Sequence, residues 1–187
     1  MKNLFLIIIL SASSSLCAQQ KAGISTNEQT LTWIGKAAVG GYAPEGSLEI
    51  RSAEITYTLE EIITLSIVVD MASLKQENKQ LQDHLKREDF FFVEQYPKAT
   101  FELSKKAMIL DGKCILEGLM AIRGESRKEL IEVVATISEG KISLQLDHIM
   151  DRTRYGVNHN SPSIFKRLKE NAIADQFVLK GHLEFQE

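Results

Sequence analysis

The feature that most constrains this chain is a period-two alternation of apolar and polar residues, which recurs along most of its length. Such alternation places successive side chains on opposite faces of a half-buried strand. Leu31 and Trp33 alternate with Thr30 and Thr32, and Leu48 and Ile50 are followed by Ile55, Tyr57 and Leu59. Ile63, Leu65, Ile67, Val69 and Met71 alternate with Ile62, Thr64, Ser66, Val68 and Asp70, and Phe101 and Leu103 flank Glu102. In the second half Cys114, Leu116, Met120 and Ile122 share one parity, as do Ile131, Val133, Ala135 and Ile137. Ile142, Leu144 and Leu146 form the next set, and Phe177, Leu179, Leu183 and Phe185 the last. That makes about eight strands. They are joined by short turn signals such as Asp111-Gly112 and Glu139-Gly140. An antiparallel sheet of this extent with one apolar face is stable as a closed barrel or as a sandwich. Eight strands closed on themselves enclose either packed side chains or one small ligand.

Two stretches break the alternation. Ser73 to Leu85 is polar, with Leu74, Leu81 and Leu85 at helical spacing. Ser161 to Ala174 opens on Ser161-Pro162, a cap and a first helical residue, and carries Ile164, Phe165, Leu168 and Ala172 as one stripe. Each predicts a short helix or helical turn on a loop.

The first 18 residues read differently. Lys2, the apolar run Leu4–Leu10, the small polar Ser11–Ser15 and Leu16-Cys17-Ala18 have the layout of a secretory signal peptide. The run is too short to span a bilayer as a helix. Cleavage after Ala18 leaves residues 19–187 as one domain, periplasmic or secreted. Lipid attachment at Cys17 fits less well, because Leu16 stands where a small residue is wanted and Ser14 where an apolar one is. No other segment is long and apolar enough to be a membrane helix. Cys114 is then a lone thiol, and a small buried hydrophobe explains it better than a nucleophile does. The net charge of −3 argues against a nucleic-acid partner, which calls for a basic face.

Catalytic signatures are missing from the sequence. It has no Gly-x-Ser-x-Gly elbow, no His-Glu-x-x-His pair and no glycine-rich phosphate loop. His84, His148, His159 and His182 are dispersed, with no metal-ligand spacing. Convergence of His148 and His159 in space is left open. Glu60-Glu61 and Glu88-Asp89 are consecutive, so their side chains do not face each other as acid and base.

Several blocks, in order, resemble the YceI-like, polyisoprenoid-binding family. They are Trp33-Ile34-Gly35-Lys36-Ala37-Ala38-Val39-Gly40-Gly41, Ile67 to Leu74, His84 to Phe91 with Tyr96-Pro97-Lys98-Ala99-Thr100-Phe101, Glu117 to Gly124, and Asp151 to Val157. The chain departs from the family at Gly41–Gly46, where a His-containing turn is usual, and at Phe92, where an acidic residue is usual. The resemblance implies an all-β, lipocalin-like, eight-stranded antiparallel barrel with an apolar tunnel able to hold an isoprenoid chain. On that reading the protein is an exported carrier of a long isoprenoid, quinone-like lipid or similar amphiphile, with no other cofactor and no catalytic residue. Parity then nominates Trp33, Ile67, Val69, Phe101, Met120, Val133 and Leu144 as tunnel wall. Phe91 joins them from the Phe90-Phe91-Phe92 run and Phe165 from the second helical stripe. Asp89 is read as a turn cap. The cluster Asp151, Arg152 and Arg154 is read as an ion pair closing the barrel or as a contact for a ligand head group. Two rivals stay open: an enzyme acting on an isoprenoid-like lipid, and a fully packed barrel with no ligand. Parity says which face is inside, not whether the inside is empty.

Overall fold

A computed structural model describes residues 19–24, 29–168 and 171–186. The expected signal segment, residues 1–18, lies outside the described residues. The strands are β1 (Gln20–Ile24), β2 (Thr30–Ile34), β3 (Glu45–Tyr57), β4 (Glu61–Gln76), β5 (Lys98–Leu103), β6 (Ala107–Met108), β7 (Lys113–Ile122), β8 (Glu125–Ser138), β9 (Lys141–Asp151) and β10 (Gln176–Gln186). One helix, α1 (Lys79–Lys86), lies between β4 and β5, and a 3-10 turn, Arg152–Tyr155, follows β9. Among the described residues no helix is long and apolar enough to cross a membrane.

Every strand pairing is antiparallel, and the sheet closes into a barrel. The ring runs β3, β4, β5, β7, β8, β9, β10, β2 and back to β3. Two positions in it are each filled by two short pieces. Thr30–Ile34 of β2 bridges β10 and β3 at one level, and β1 pairs with the same two strands at another, Gln20–Gly23 against Tyr57–Glu54 and Ile24 against Phe185. Likewise β5 pairs with the middle of β4, and Ala107–Met108 of β6 with its start. Ten strands therefore make the eight-position, lipocalin-like barrel that the family resemblance implies, where the alternation alone left a sandwich open. The hairpins are tight. Arg123-Gly124 and Glu139-Gly140 each place both residues at positive φ, the geometry of a type I′ turn, whose twist suits two-residue hairpins.

Parity holds along β7, β8 and β9, where inward residues are buried. It slips in β4. Register shifts between β3 and β4 put Tyr57 opposite Ile62 while Thr56 faces Thr64. Each bulge inserts an unpaired residue and flips the faces beyond it. Ile62 is consequently buried, where the alternation favoured Ile63, and Leu59 stands in the turn, 74% exposed. β4 also runs on through Gln76, so the first helix begins later than the polar stretch suggests. Asn78 caps it, its side chain accepting from Gln80 N (2.9 Å) and Leu81 N (3.2 Å). Leu85 anchors the helix to Trp33, Leu74, Phe90 and Val157, a small second core beside the main barrel core.

The second stretch, read as a short helix or a helical turn, makes only a helical turn among the described residues, with Ile164 N (3.3 Å) and Phe165 N (2.9 Å) donating to Ser161 O. Residues 161–168 make turns, and the backbone beyond them bonds elsewhere: Ala174 N donates to Lys36 O, Ile173 N to Asn160 O, and Ala38 N to Ala172 O. Amides and carbonyls engaged with the β2–β3 loop cannot serve an i to i−4 ladder.

Two interior rings lie over glycines. A Cβ on Gly118 would run into the Phe101 ring and sit 2.6 Å from Glu102 O, and one on Gly46 would sit 2.7 Å from the Trp33 indole. A strand glycine here serves the close approach of a ring. Gly118→Ala should lower stability by about 1–3 kcal/mol, the usual cost of overpacking. Urea unfolding measures it, and an unchanged midpoint would show that the ring has room to move.

Candidate ligand-binding site

The barrel interior is hollow. A cavity of ≈ 230 Å³ runs between the inward faces and is lined almost wholly by apolar atoms. Ile67 and Val69 of β4, Phe101 of β5, Met120 of β7, Val133 of β8 and Leu144 of β9 all face it, as do Trp33 of β2 and Phe91. Those are eight of the nine residues nominated from the sequence. Phe165 is the exception. It lies in a single helical turn rather than a continuous helix, and the ring sits half-exposed beside a separate shallow depression with Asp89, Arg123 and His159. The cavity reaches solvent near the β2–β3 loop, where exposed Lys36 and Tyr42 are part of its lining. Met71, Met120 and Met150 also line it, and methionine adapts its shape to what it packs against. A larger depression on the outside, ≈ 1130 Å³, is open and carries Lys113, Glu132, Asp147 and Lys180. It shelters an apolar chain far less well.

Polar groups at the barrel end are largely consumed by the protein. Arg152 borders the cavity and is buried, and burial pulls its pKa below the ordinary guanidinium value despite Asp175 and Asp151. Its guanidinium donates to Val157 O (2.7 Å), Ile173 O (2.9 Å) and Ala174 O (3.0 Å), holding the segments on either side of residues 158–172. Asp151 caps the 3-10 turn through Thr153 N (2.9 Å) and Thr153 Oγ1 (2.6 Å). Arg154 bonds to Glu129 Oε1 at 2.7 Å. The charged cluster read from the sequence thus ties the chain together at three separate places. Trp33 Nε1 is different: it is a buried donor with no acceptor among the described residues. An oxygen-bearing ligand or a water would satisfy it.

Sequence reading missed two clusters. Glu129 is a buried carboxylate on an inward position of β8; it accepts from Tyr155 OH (2.6 Å) and Arg154, with His148 Nε2 at 3.5 Å. Burial, the hydrogen bond to Glu129 and its charge push the Tyr155 phenol well above its usual range. The other cluster is His84, Asp89 and His159. Asp89 Oδ2 lies 2.6 Å from His84 Nε2 and 3.1 Å from His159 Nδ1, so Asp89 does more than cap a turn. Burial opposes ionisation of Asp89, but the His84 hydrogen bond and both imidazoles outweigh it and lower its pKa. Burial also lowers His159, against the pull of Asp89. His148 and His159 belong to different clusters and do not converge. The only advance signal was the five-residue spacing of His84 and Asp89 across a helix end.

Comparison with known proteins agrees with this geometry. Residues 24–185 match the family described as YceI-like domain. No curated protein matches the sequence. Among solved structures, BcnA of Burkholderia cenocepacia superposes with TM-score 0.71 at 20% identity, covering 83% of this chain and 95% of that one. A polyisoprenoid binding domain from Saccharophagus degradans gives TM-score 0.65 at 10% identity, over 90% and 99% of the two chains. The YCEI protein of Campylobacter jejuni gives 0.56 at 18% identity, over 98% and 97%. At these identities the likeness speaks for the fold.

Cys114 faces the core from β7, and burial pushes its thiol up to about 11. At neutral pH it should resist iodoacetamide in the folded protein and react readily in urea, since the thiolate is the nucleophile. Mass spectrometry of the two samples checks this.

Proposed function

Because the chain belongs to the YceI-like domain family, we propose that it binds the tail of a long isoprenoid or similar amphiphile, a quinone-like lipid included, inside its barrel. It would act as an exported carrier, periplasmic or secreted after loss of the N-terminal segment, and serve envelope maintenance or stress tolerance. The carrying observation is the ≈ 230 Å³ cavity with an apolar wall drawn from eight strands. A solved domain of the same fold is itself described as polyisoprenoid binding. Binding rather than catalysis suits a wall with so few free polar groups.

The size of the cavity sets the energetics. A cavity of ~150 Å³ accepts benzene, so ≈ 230 Å³ takes roughly nine carbons, close to two isoprene units. At about 0.8 kcal/mol per methylene these contribute roughly 7 kcal/mol. Association costs at least about 4 kcal/mol, which leaves affinity nearer millimolar than micromolar. A chain of about three units would reach the micromolar range. It needs the three methionines to shift rotamer, or the tail to extend past Tyr42. Selectivity should then rest on chain length more than on the head group.

Trp33 is the one tryptophan of the chain and lines the cavity, so its emission reports occupancy directly. Prenyl alcohols of increasing length should bind more tightly with each added unit, then level off once about three are buried. Val133→Phe, which fills the cavity without adding a fluorophore, should weaken binding by at least about tenfold (roughly 1.4 kcal/mol) while the circular dichroism spectrum stays native. Affinity independent of length, or unaltered in the filled variant, counts against binding in the barrel.

A further inference from the structure

Outside the cavity, His84, Asp89 and His159 bring two imidazole nitrogens and a carboxylate oxygen to one point from three chain segments. His84 is in the last turn of α1, Asp89 in the turn after it, and His159 on the loop between the 3-10 turn and β10. The three ligating atoms lie within 4.8 Å of one another. We propose that these residues form a binding site for a divalent transition-metal ion of the zinc type, with water completing the coordination.

The chemistry of the donors selects the class of ion. Two imidazoles suit zinc, nickel or copper, whereas calcium and magnesium take oxygen ligands. Tetrahedral zinc with bonds of about 2.0–2.1 Å holds its ligands about 3.3 Å apart. The two contacts to Asp89 Oδ2, 2.6 and 3.1 Å, must open by roughly 0.7 and 0.2 Å to admit the ion. Side-chain rotation suffices, because Asp89 is 41% exposed and the partners of its carboxylate are the two imidazoles themselves. The partial exposure of all three residues gives an ion and its waters a path in. Arg123 borders the same depression, but its guanidinium is turned to the carbonyls of Gly156 and Glu88 rather than to the cluster.

The ion would also be a structural link. Phe90 lines the cavity, and its ring centroid is 5.0 Å from that of His84 and 5.0 Å from that of His159. A metal joining α1 to the 156–160 loop would fix both imidazoles against this ring. Binding should therefore stabilise the folded state.

Titration of the full-length protein with zinc chloride by calorimetry tests the site. One ion per chain is expected, with a rise of several degrees in melting temperature. Co²⁺ in place of zinc should give the intense visible bands of a low-coordinate nitrogen–oxygen site. His84→Gln, His159→Gln and Asp89→Asn should each weaken zinc binding by more than about tenfold, while His182→Gln, on exposed β10 surface, leaves it unchanged. Melting each variant without metal separates a lost ligand from a lost fold, and Asp89→Asn, on an exposed turn, is the variant to rely on if a histidine variant unfolds. The absence of saturable binding, or equal affinity in Asp89→Asn and the parent, overturns the proposal and leaves a hydrogen-bonded trio with one carboxylate between two imidazoles.

Discussion

Everything in this molecule depends on closure of the hydrogen-bonded ring. β10 must find β3, and it does so through two intermediaries, β2 at one level and β1 at the other. An open sheet would expose unpaired edges and one apolar face to water; the closed one has an inside and an outside. Once the ring is shut, inward parity on each strand becomes the wall of a single compartment. The cavity is a consequence of that closure and of side chains that do not quite fill it.

How much of this is legible in the sequence follows from what parity encodes. Alternation identifies the eight barrel positions and puts Val133, Leu144 and Met120 on the inner face without further information. It fails only at the start of β4, because a bulge costs one residue of register and leaves no mark in an apolar pair such as Ile62-Ile63. The same periodic reasoning put Phe165 on a helical stripe facing inward, but the helical turn at Ser161–Phe165 does not continue, and Ile173 and Ala174 beyond it bond to Asn160 and Lys36. The bond to Lys36 spans more than a hundred residues and the bond to Asn160 joins residues 160 and 173, and no local pattern announces them. Emptiness was equally out of reach, since it depends on the sum of side-chain volumes in a fixed ring. Gly46 and Gly118 carry a trace of that packing: a glycine within an alternating strand signals a neighbour that comes close, here Trp33 and Phe101.

The polar residues show a consistent division of labour. Arg152, Asp151 and Arg154 satisfy the carbonyls, amides and carboxylate left over where the chain leaves the barrel after β9. A buried guanidinium with its donors directed at backbone carbonyls organises a loop, and its removal would strand those acceptors. The inner wall is consequently left to hydrocarbon, with the Trp33 donor as an exception. A site of this kind grips by excluding water, which is why chain length governs affinity in the binding proposal.

The most direct test of that central claim is an isotope-filtered NMR experiment on methyl-labelled protein with an unlabelled fifteen-carbon prenyl alcohol. Methyls of Val133 and Leu144 point inward, while those of Leu130 and Val134, their neighbours along or across the same strands, face solvent. The account predicts ligand contacts to the first pair and none to the second. Contacts confined to Leu130 and Val134, or spread equally over both, would contradict it.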